Sequence, residues 1–374
     1  MKKIYYITAV FATLFLVGCG DGIDLPGVNV ETDLNKIPLP DNNVNLEQVE
    51  LKPSTEPMLH EGLHTEEDFQ RIRDKKAAGE EPWVSAYQLL VESQFSQKTA
   101  DTYPTEWIKR GVSGDENYMN AARGATIAYQ QALRWKIEQD DEYAAKAVEN
   151  LNKWVQTCVG VTGNTNLSLA AGLYGYEFAI AGELLRDYEG WDRADFAAFQ
   201  NWLLKVFYPA NDDFLKRHHD TNALHYWANW CLCNIAAKMA IGIVTDRRDI
   251  YNEGIDHLQT GDTNGRLRRA IYHDYAPDYN FAQWQESGRD QGHTLMCVGL
   301  MGVICQLAWS QGDDFFAYDD NLFMRACEYA ACCNYTNETV PYTTYIWQKQ
   351  SQWGYPIPEE QTTLGGGKWI KRAI

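Results

Sequence analysis

Positive charge is scarce in this sequence of 374 residues. Lys and Arg number 33 against 51 Asp and Glu, which gives a formal net charge of -18. A surface of that sign argues against nucleic acid or an anionic membrane as the main partner, because both are polyanions. A polyanionic sugar stays open as a ligand, because a local cluster of arginines can reverse the field within one cleft.

The sequence also lacks metal-ligating residues at the spacings typical of metal sites. The nine cysteines include no pair of C-x-x-C motifs, so a zinc site of that kind is not expected. The eight that follow Cys19 lie in apolar segments, where we expect small buried hydrophobic residues. His218, His219 and Asp220 are adjacent potential ligands, but no further ligand stands at a matching spacing. We therefore predict neither a metal nor another cofactor.

Long apolar runs are confined to the N-terminus. Two lysines precede an apolar run at residues 4–16, which ends in the tetrapeptide LVGC at Cys19. This pattern is typical of a secretory signal with a lipobox, and the run is too short to span a membrane stably. We predict a lipoprotein signal peptide at residues 1–19 and a lipid on Cys19. The mature protein is expected to be exported and held to the outer membrane, on its periplasmic or cell-surface face, by that lipid alone.

The remaining chain divides into two parts. Residues 20–57 are rich in Asp, Asn, Pro and Val without periodicity, which predicts a flexible tether. Residues 58–374 have helical periodicity and no strong strand alternation, so we predict an all-α domain of antiparallel helix hairpins. Two segments, 167–185 and 294–309, are apolar on most faces and should be buried. The predicted helices, after a capped start at residues 64–68, are 83–95, 118–139, 141–158, 167–188, 192–207, 221–244, 248–258, 293–310 and 321–334.

A polar stripe follows two adjacent histidines at residues 218–230. If the chain is helical from Thr221, then Asn222, His225 or Tyr226, and Asn229 share one face. Buried polar groups need hydrogen-bond partners, so the stripe is either a structural network or one side of a cleft that donates to a ligand.

Three arginines at residues 266–269 stand beside Tyr272, His273 and Tyr275. In so acidic a chain, such a cationic cluster is unusual. Arginine can fork onto a carboxylate, and a nearby cation favours the phenolate of tyrosine. The alternative is a solvated basic loop.

A third polar run, QWQESGRDQGH at residues 283–293, lies just before an apolar helix. Its Glu286, Arg289 and His293 either form a network beneath a cleft or belong to the cleft itself.

These three segments resemble the alginate lyase superfamily of polysaccharide lyases. The run at 285–293 looks like a signature of that superfamily. The run RRAIYHDY at 268–275 is similar to RALDYHNY of polysaccharide lyase family 5. In that family the final tyrosine is the catalytic acid and base, and the arginine seven residues earlier lies in the site. The resemblance carries these roles onto Tyr275 and Arg268.

The first segment matches the family less well. The family 5 motif NNHSYW is similar to NALHYW at residues 222–227, where Tyr226 and Trp227 align. The family's Asn-His pair falls on Ala223 and Leu224, however, and Asn222 and His225 flank those positions. This departure argues against family 5 itself. A related family of exported lipoproteins, such as polysaccharide lyase family 38, looks closer.

The resemblance covers residues 60–345 and implies an (α/α) toroid, or incomplete barrel, with a central active-site groove. It also implies β-elimination on a uronic-acid polymer, alginate or glucuronan, which leaves a 4,5-unsaturated end. Asn222, His225 and Arg268 or Arg269 would neutralise the substrate carboxylate. Tyr275 would act as acid and base, and His225 or His273 would serve where a second base is needed. The substrate-binding candidates are Tyr272, His273, Tyr226, Trp227, Glu286, Arg289, His293 and Asn164, with Asn166 beside it.

Two other classes of protein fit the residues without the resemblance. A helical-toroid glycoside hydrolase would need two carboxylates, and Asp220, Asp274, Asp278 and Glu286 are available. A non-catalytic glycan-binding lipoprotein would use the 13 Trp and 22 Tyr residues as stacking surfaces and would not need Tyr275.

Overall fold

The computed structural model describes residues 55–335 and 340–345. The predicted signal peptide, Cys19 and most of the predicted tether lie outside these residues. The helices of the described part are α1 (Glu66–Ala77), α2 (Trp83–Glu92), α3 (Tyr118–Glu138), α4 (Asp141–Thr157), α5 (Leu167–Leu184), α6 (Arg193–Val206), α7 (Tyr208–Arg217), α8 (Ala228–Val244), α9 (Arg248–Thr260), α10 (Leu267–Ala270), α11 (Gln291–Ser310) and α12 (Tyr318–Tyr335). The all-α prediction is therefore confirmed.

Four short strands interrupt the helices and were not predicted. Strands β1 (Trp107–Arg110) and β2 (Gly160–Gly163) pair in parallel. Strands β3 (Ile271–Asp274) and β4 (Ala282–Trp284) form an antiparallel hairpin with an irregular register after Ile271. Each strand has three or four residues, which is too few for the alternation of a strand to stand out in the sequence.

Local capping explains where several helices begin. Thr65 precedes α1, and its hydroxyl accepts from the Asp68 amide while the Asp68 carboxylate accepts from the Thr65 amide. This reciprocal capping box confirms the predicted helix start. Helix α3 ends on Gln139 in the left-handed conformation, and the Asp140 side chain then caps α4. So short a connection turns α3 and α4 into an antiparallel hairpin, as predicted.

The most buried helices lie side by side in the middle of the protein. Helix α5 packs against α3 and α8, and α8 packs in turn against α11. Helices α4, α9 and α12 cover α3, α8 and α11 respectively. The contact between α5 and α8 is very close, because a Cβ at Gly172 would lie 2.5 Å from Cys233 Sγ and 2.9 Å from the Cys233 carbonyl carbon. The two apolar segments predicted to be buried are thus confirmed as core helices.

Helix α11 has a strongly apolar composition. It is the one helix of the described residues that is long and apolar enough to cross a membrane, with a mean hydropathy of 1.4. Within the protein, however, 61% of that stretch is buried against other elements, as in a core helix.

The eight cysteines after Cys19 are free thiols, and most of them are buried, as expected of small hydrophobic residues.

The predicted helix at residues 221–244 is wrong in its first turns, since α8 begins only at Ala228. The Asn222 side chain accepts from the Leu224 amide at 3.0 Å, which forms a local turn that competes with a helix. The Asn264 amide then donates to the carbonyl groups of Leu224 and Tyr226, at 3.2 and 2.7 Å. Helix α7 was not predicted at all.

Candidate active site

The β3–β4 hairpin positions the main catalytic candidates. His273 pairs with Gln283 across the hairpin, and the Tyr275 amide continues the ladder by donating to the Phe281 carbonyl at 3.0 Å. Asp274 is held by Arg325, with one contact of 2.9 Å. The hairpin therefore presents Tyr272, His273 and Tyr275 from one short, well-bonded element.

The hydroxyl group of Tyr275 is fixed in direction. It donates to Gln283 Oε1 at 2.6 Å and lies 3.1 Å from the hydroxyl oxygen of Thr343. The ring of His273 packs edge-on against the Tyr275 ring, with 4.5 Å between centroids. Burial raises the pKa of Tyr275, although the hydrogen bonds to Thr343 partly oppose this. Tyr275 is therefore a neutral phenol at physiological pH.

The expectation that neighbouring arginines favour the Tyr275 phenolate is wrong. Arg268 is ion-paired with Asp319, and its guanidinium also lies 3.8 Å from Asp274. Its positive charge is thus compensated within the protein, and burial determines the pKa of the phenol.

Arg269 differs from its neighbour Arg268. No carboxylate of the described residues lies within 4.0 Å of its guanidinium, and its Nε has no hydrogen-bond partner there. It is half-buried and close enough to Tyr345 to interact with it electrostatically. Of the two arginines, Arg269 is the one whose charge is available to a ligand.

Gln283 is a residue that the sequence did not single out. Its Nε2 donates to the Tyr272 hydroxyl at 3.1 Å and to the Thr343 carbonyl at 2.9 Å, and its Oε1 accepts from Tyr275 and from the Thr343 amide. The Tyr272 hydroxyl also donates to the Thr343 carbonyl. With every polar atom engaged, Gln283 fixes the two tyrosine hydroxyl groups relative to each other. The only sequence feature that indicated such a role is the position of Gln283 inside the polar run before α11.

The segment at residues 221–227 joins this hairpin through a polar network. The Gln285 amide donates to the Tyr345 hydroxyl at 2.6 Å, and the Tyr345 ring packs against Trp227 at 5.9 Å. His225 is only 2% exposed and lies against the Tyr226 ring. Asn222, His225 and Asn229 do not share a helix face, because the first two precede α8. That part of the prediction is wrong.

Glu286 occupies the centre of a buried network. It is 0% exposed, and it accepts from the Asn229 amide at 3.0 Å, from Cys297 Sγ at 3.3 Å and from Arg289 Nη1 at 2.9 Å. The Arg289 guanidinium lies over the Trp227 ring, 5.2 Å from its centroid. Of the two alternatives for this segment, the geometry around Glu286 is that of a network beneath a cleft.

His293 belongs to the start of α11. Its Nδ1 lies 2.6 Å from Asp290 Oδ2, and the other oxygen of Asp290 caps the helix by accepting from the His293 amide. This pairing holds the His293 ring at the helix terminus.

A second group of candidates lies at the N-terminal end of α5. Asn164 follows β2, and its Oδ1 accepts from the amide and side chain of Asn166, at 2.9 and 3.0 Å. The ring of His219 reaches the same turn, with Nε2 2.9 Å from Ser168 Oγ and a further contact to the Thr165 backbone. Burial lowers the pKa of His219, so its imidazole is neutral at physiological pH.

His218, His219 and Asp220 all have positive φ angles. Three such residues in succession are costly, at about 1–3 kcal/mol each, and strain of this kind is concentrated at functional sites. The sequence had indicated this pair of histidines only as potential metal ligands. No group of three metal-ligating side chains occurs within residues 55–335 and 340–345. His219 is a neutral imidazole held against Ser168 and the Thr165 backbone.

Comparison with known proteins now identifies the family. The family model described as Alginate lyase matches residues 72–338. The chain belongs to the alginate lyase family. As a member of it, the protein is an enzyme of the polysaccharide lyase class.

Solved structures of alginate lyases share this fold. The alginate lyase from Bacteroides ovatus has a TM-score of 0.56 and 15% identity, with 83% of this chain and 88% of that chain covered. Alginate lyase A1-III from Sphingomonas species A1 has a TM-score of 0.50 and 13% identity, with coverages of 74% and 79%. No curated protein sequence matches the chain. The predicted α/α toroid is confirmed, whereas the assignment to family 38 and the individual site residues stay predictions.

Replacing Glu286 by Gln separates the two roles considered for this residue. If Glu286 supports the site from beneath, the NH2 group of the glutamine will face another donor, either Arg289 or the Asn229 amide, and the free energy of unfolding should fall by about 2–4 kcal/mol. The KM for substrate should stay nearly unchanged. Urea denaturation and steady-state kinetics measure the two effects.

The control is Glu80→Gln, which removes an exposed carboxylate, 47% accessible, from its pair with Lys75. Its effect on stability should be under about 1 kcal/mol. A Glu286→Gln protein of parental stability but with a greatly increased KM would instead place Glu286 in contact with substrate.

Proposed function

We propose that this enzyme cleaves alginate, or a related uronic-acid polymer, by β-elimination that leaves a 4,5-unsaturated uronate end. The observation that carries the proposal is the oriented, neutral hydroxyl group of Tyr275 with the His273 imidazole packed against its ring. Arg269 has no carboxylate partner among the described residues, and it lies on helix α10, which directly precedes β3. The names of the structurally similar alginate lyases support the choice of substrate.

Elimination from a uronate begins with removal of the proton at carbon 5. This step is difficult, because the carbanion places more negative charge on a carboxylate that is already an anion. Donors at that carboxylate stabilise the intermediate more than the ground state, and so they accelerate the reaction. We assign this role to the guanidinium of Arg269 rather than to Arg268, whose charge Asp319 already compensates.

The neutral phenol of Tyr275 is suited to protonate the leaving oxygen 4. Where the proton at carbon 5 lies on the same face of the sugar, the phenol would first have to pass its own proton to a neighbouring base such as His273 before it could remove that proton. Where the two lie on opposite faces, a separate base is required. His273 is the better candidate, since burial lowers its pKa and keeps it able to accept a proton. His225 is less suited, because it is only 2% exposed.

Replacement of Tyr275 by Phe tests the acid role. The loss of a general acid should lower kcat by about 100- to 10,000-fold while binding is nearly unchanged. Ultraviolet absorbance of the conjugated double bond measures the reaction on polymannuronate, polyguluronate and glucuronan. Tyr279→Phe is the matched control, because Tyr279 is 52% exposed and its ring lies 6.5 Å from that of Tyr275.

The products and the binding of the unmutated protein distinguish the three classes of function. New reducing ends without absorbance would identify a hydrolase, and binding without cleavage would identify a glycan-binding protein. Equal loss of activity in both tyrosine variants would remove Tyr275 from the mechanism.

A second pair of variants distinguishes the two arginines. Arg269→Ala should lower kcat/KM by about 100- to 1,000-fold, as removal of a donor to a developing charge does. Arg268→Ala should instead lower the free energy of unfolding by about 1–3 kcal/mol, because Asp319 loses its partner. Steady-state kinetics and urea denaturation of both variants make the comparison, and the reverse pattern would assign the carboxylate to Arg268.

We also propose that the enzyme is exported and anchored to the outer membrane by a lipid on Cys19. The lipobox at the end of the apolar N-terminal run supports this proposal. In a host with an outer membrane, the parent should incorporate labelled palmitate and sediment with that membrane, while Cys19→Ala should do neither. Labelling of the variant, or a parent without label, would contradict the proposal.

A further inference from the structure

Arg110, the last residue of β1, is a buried cation without a protein counter-ion. It is 5% exposed, and no carboxylate of the described residues lies within 4.0 Å of its guanidinium. Its Nη1 is buried without a hydrogen-bond partner there. The guanidinium does lie over the Tyr118 ring, 4.6 Å from its centroid. A ring face attracts a cation but does not satisfy its N–H donors.

The other buried arginines of the described residues all have carboxylate partners. Arg134 pairs with Glu138, Arg186 with Glu183, and Arg325 with Asp274. Arg134 is the closest match to Arg110, since it is 7% exposed and lies over the Tyr143 ring at 4.3 Å. The difference between the two is the carboxylate. A buried charge without a partner is strongly unfavourable, so its retention at position 110 indicates a partner that is not among the described residues.

Arg110 stands next to the turn that carries Asn164. In the parallel pair β1–β2, Arg110 is opposite Gly163, the residue before Asn164. Gly111 lies directly against the Asn164 amide, because a Cβ there would come within 1.8 Å of its Oδ1. Both strands pack against α5, at whose N-terminal end His219 contacts Ser168. Arg110 therefore belongs to the second group of candidates and not to the β3–β4 hairpin.

We propose that Arg110 binds a carboxylate of the polymer, on a sugar unit other than the one that reacts at Tyr275. This inference rests on the proposed uronate substrate. A polymer of uronic acids carries one carboxylate on each unit, so a groove that holds several units in a protein of net charge -18 needs more than one uncompensated cation. Arginine is suited to this role because its planar fork matches both oxygens of a carboxylate.

The experiment measures binding rather than turnover. The Tyr275→Phe protein serves as parent, and calorimetry gives its Kd for hexamannuronate, hexaguluronate and neutral mannohexaose. Adding Arg110→Met should raise the Kd for the better-bound uronate hexamer by roughly 10- to 100-fold. It should leave the Kd for mannohexaose unchanged, because that ligand has no carboxylate.

Thermal unfolding of the same proteins separates binding from structural support. Arg110→Met should not lower the Tm, since no protein carboxylate loses a partner. The matched control Arg134→Met should lower the Tm and leave the Kd unchanged, because Glu138 is then left unpaired. Should Arg110→Met fail to fold, Arg110→Lys is measured in its place, and loss of the fork should still raise the Kd for the uronate hexamer.

The outcomes distinguish the inference from the function on which it rests. A parental Kd for the uronate hexamer in the Arg110 variant overturns the inference alone, as does an equal rise for mannohexaose. A parent that binds neither uronate hexamer overturns the inference and, with it, the proposed action on alginate. If the unmutated enzyme cleaves with a rise in absorbance but the Arg110 variant has the parental Kd, the proposed function stands and the proposed subsite does not.

Discussion

Helix α8 begins with hydrogen bonds that its own sequence does not supply. The residue before it, Trp227, provides no side-chain cap, and the first amides of the helix donate to Gln285 Oε1 at 2.8 Å and to Glu286 Oε1 at 3.0 Å, both 57 residues further along the chain. Unpaired amides at a helix N-terminus are costly when buried, and a carboxylate there is also favoured by the helix dipole. Since α8 packs against α5, α9 and α11, this long-range cap fixes the end of a helix around which much of the core is arranged.

The same cap determines where the catalytic candidates lie. Gln285 directly follows β4, so the bond from the Ala228 amide holds the β3–β4 hairpin, with Tyr275 and Gln283, against the start of α8. The second oxygen of Glu286 holds Arg289, and Arg289 in turn covers the Trp227 ring. A buried carboxylate is thus shared between a helix terminus and an arginine. This arrangement is tolerable only because each of its oxygens has a partner, and it explains why a residue that resembles a catalytic acid in sequence is 0% exposed in the fold.

Predictions from the sequence were confirmed where they depend on local interactions, and they were wrong where residues far along the chain intervene. The capping box at Thr65, the turn at Gln139 and the buried helices α5 and α11 depend on neighbouring residues or on composition, and these predictions were confirmed. The helix expected from Thr221 was wrong because Asn264 binds the carbonyl groups of that segment from about 40 positions away. The phenolate expected at Tyr275 was wrong for a similar reason, since Asp319 compensates Arg268. Helical periodicity and local charge counts contain no information about either partner.

Adjacent arginines in this chain have opposite roles because of where the carboxylates lie. Arg268 and Arg134 are compensated by Asp319 and Glu138, and they contribute to the fold. Arg269 and Arg110 have no such partner among the described residues, and they stand beside the two groups of candidate residues. A protein with 51 acidic side chains could have paired every arginine. Leaving a cation unpaired costs stability, and that cost is offset only when a ligand carboxylate replaces the missing partner. Under the proposed roles of Arg269 and Arg110, recognition of a polyanion by so acidic an enzyme depends less on additional cations than on the absence of carboxylates beside a few arginines.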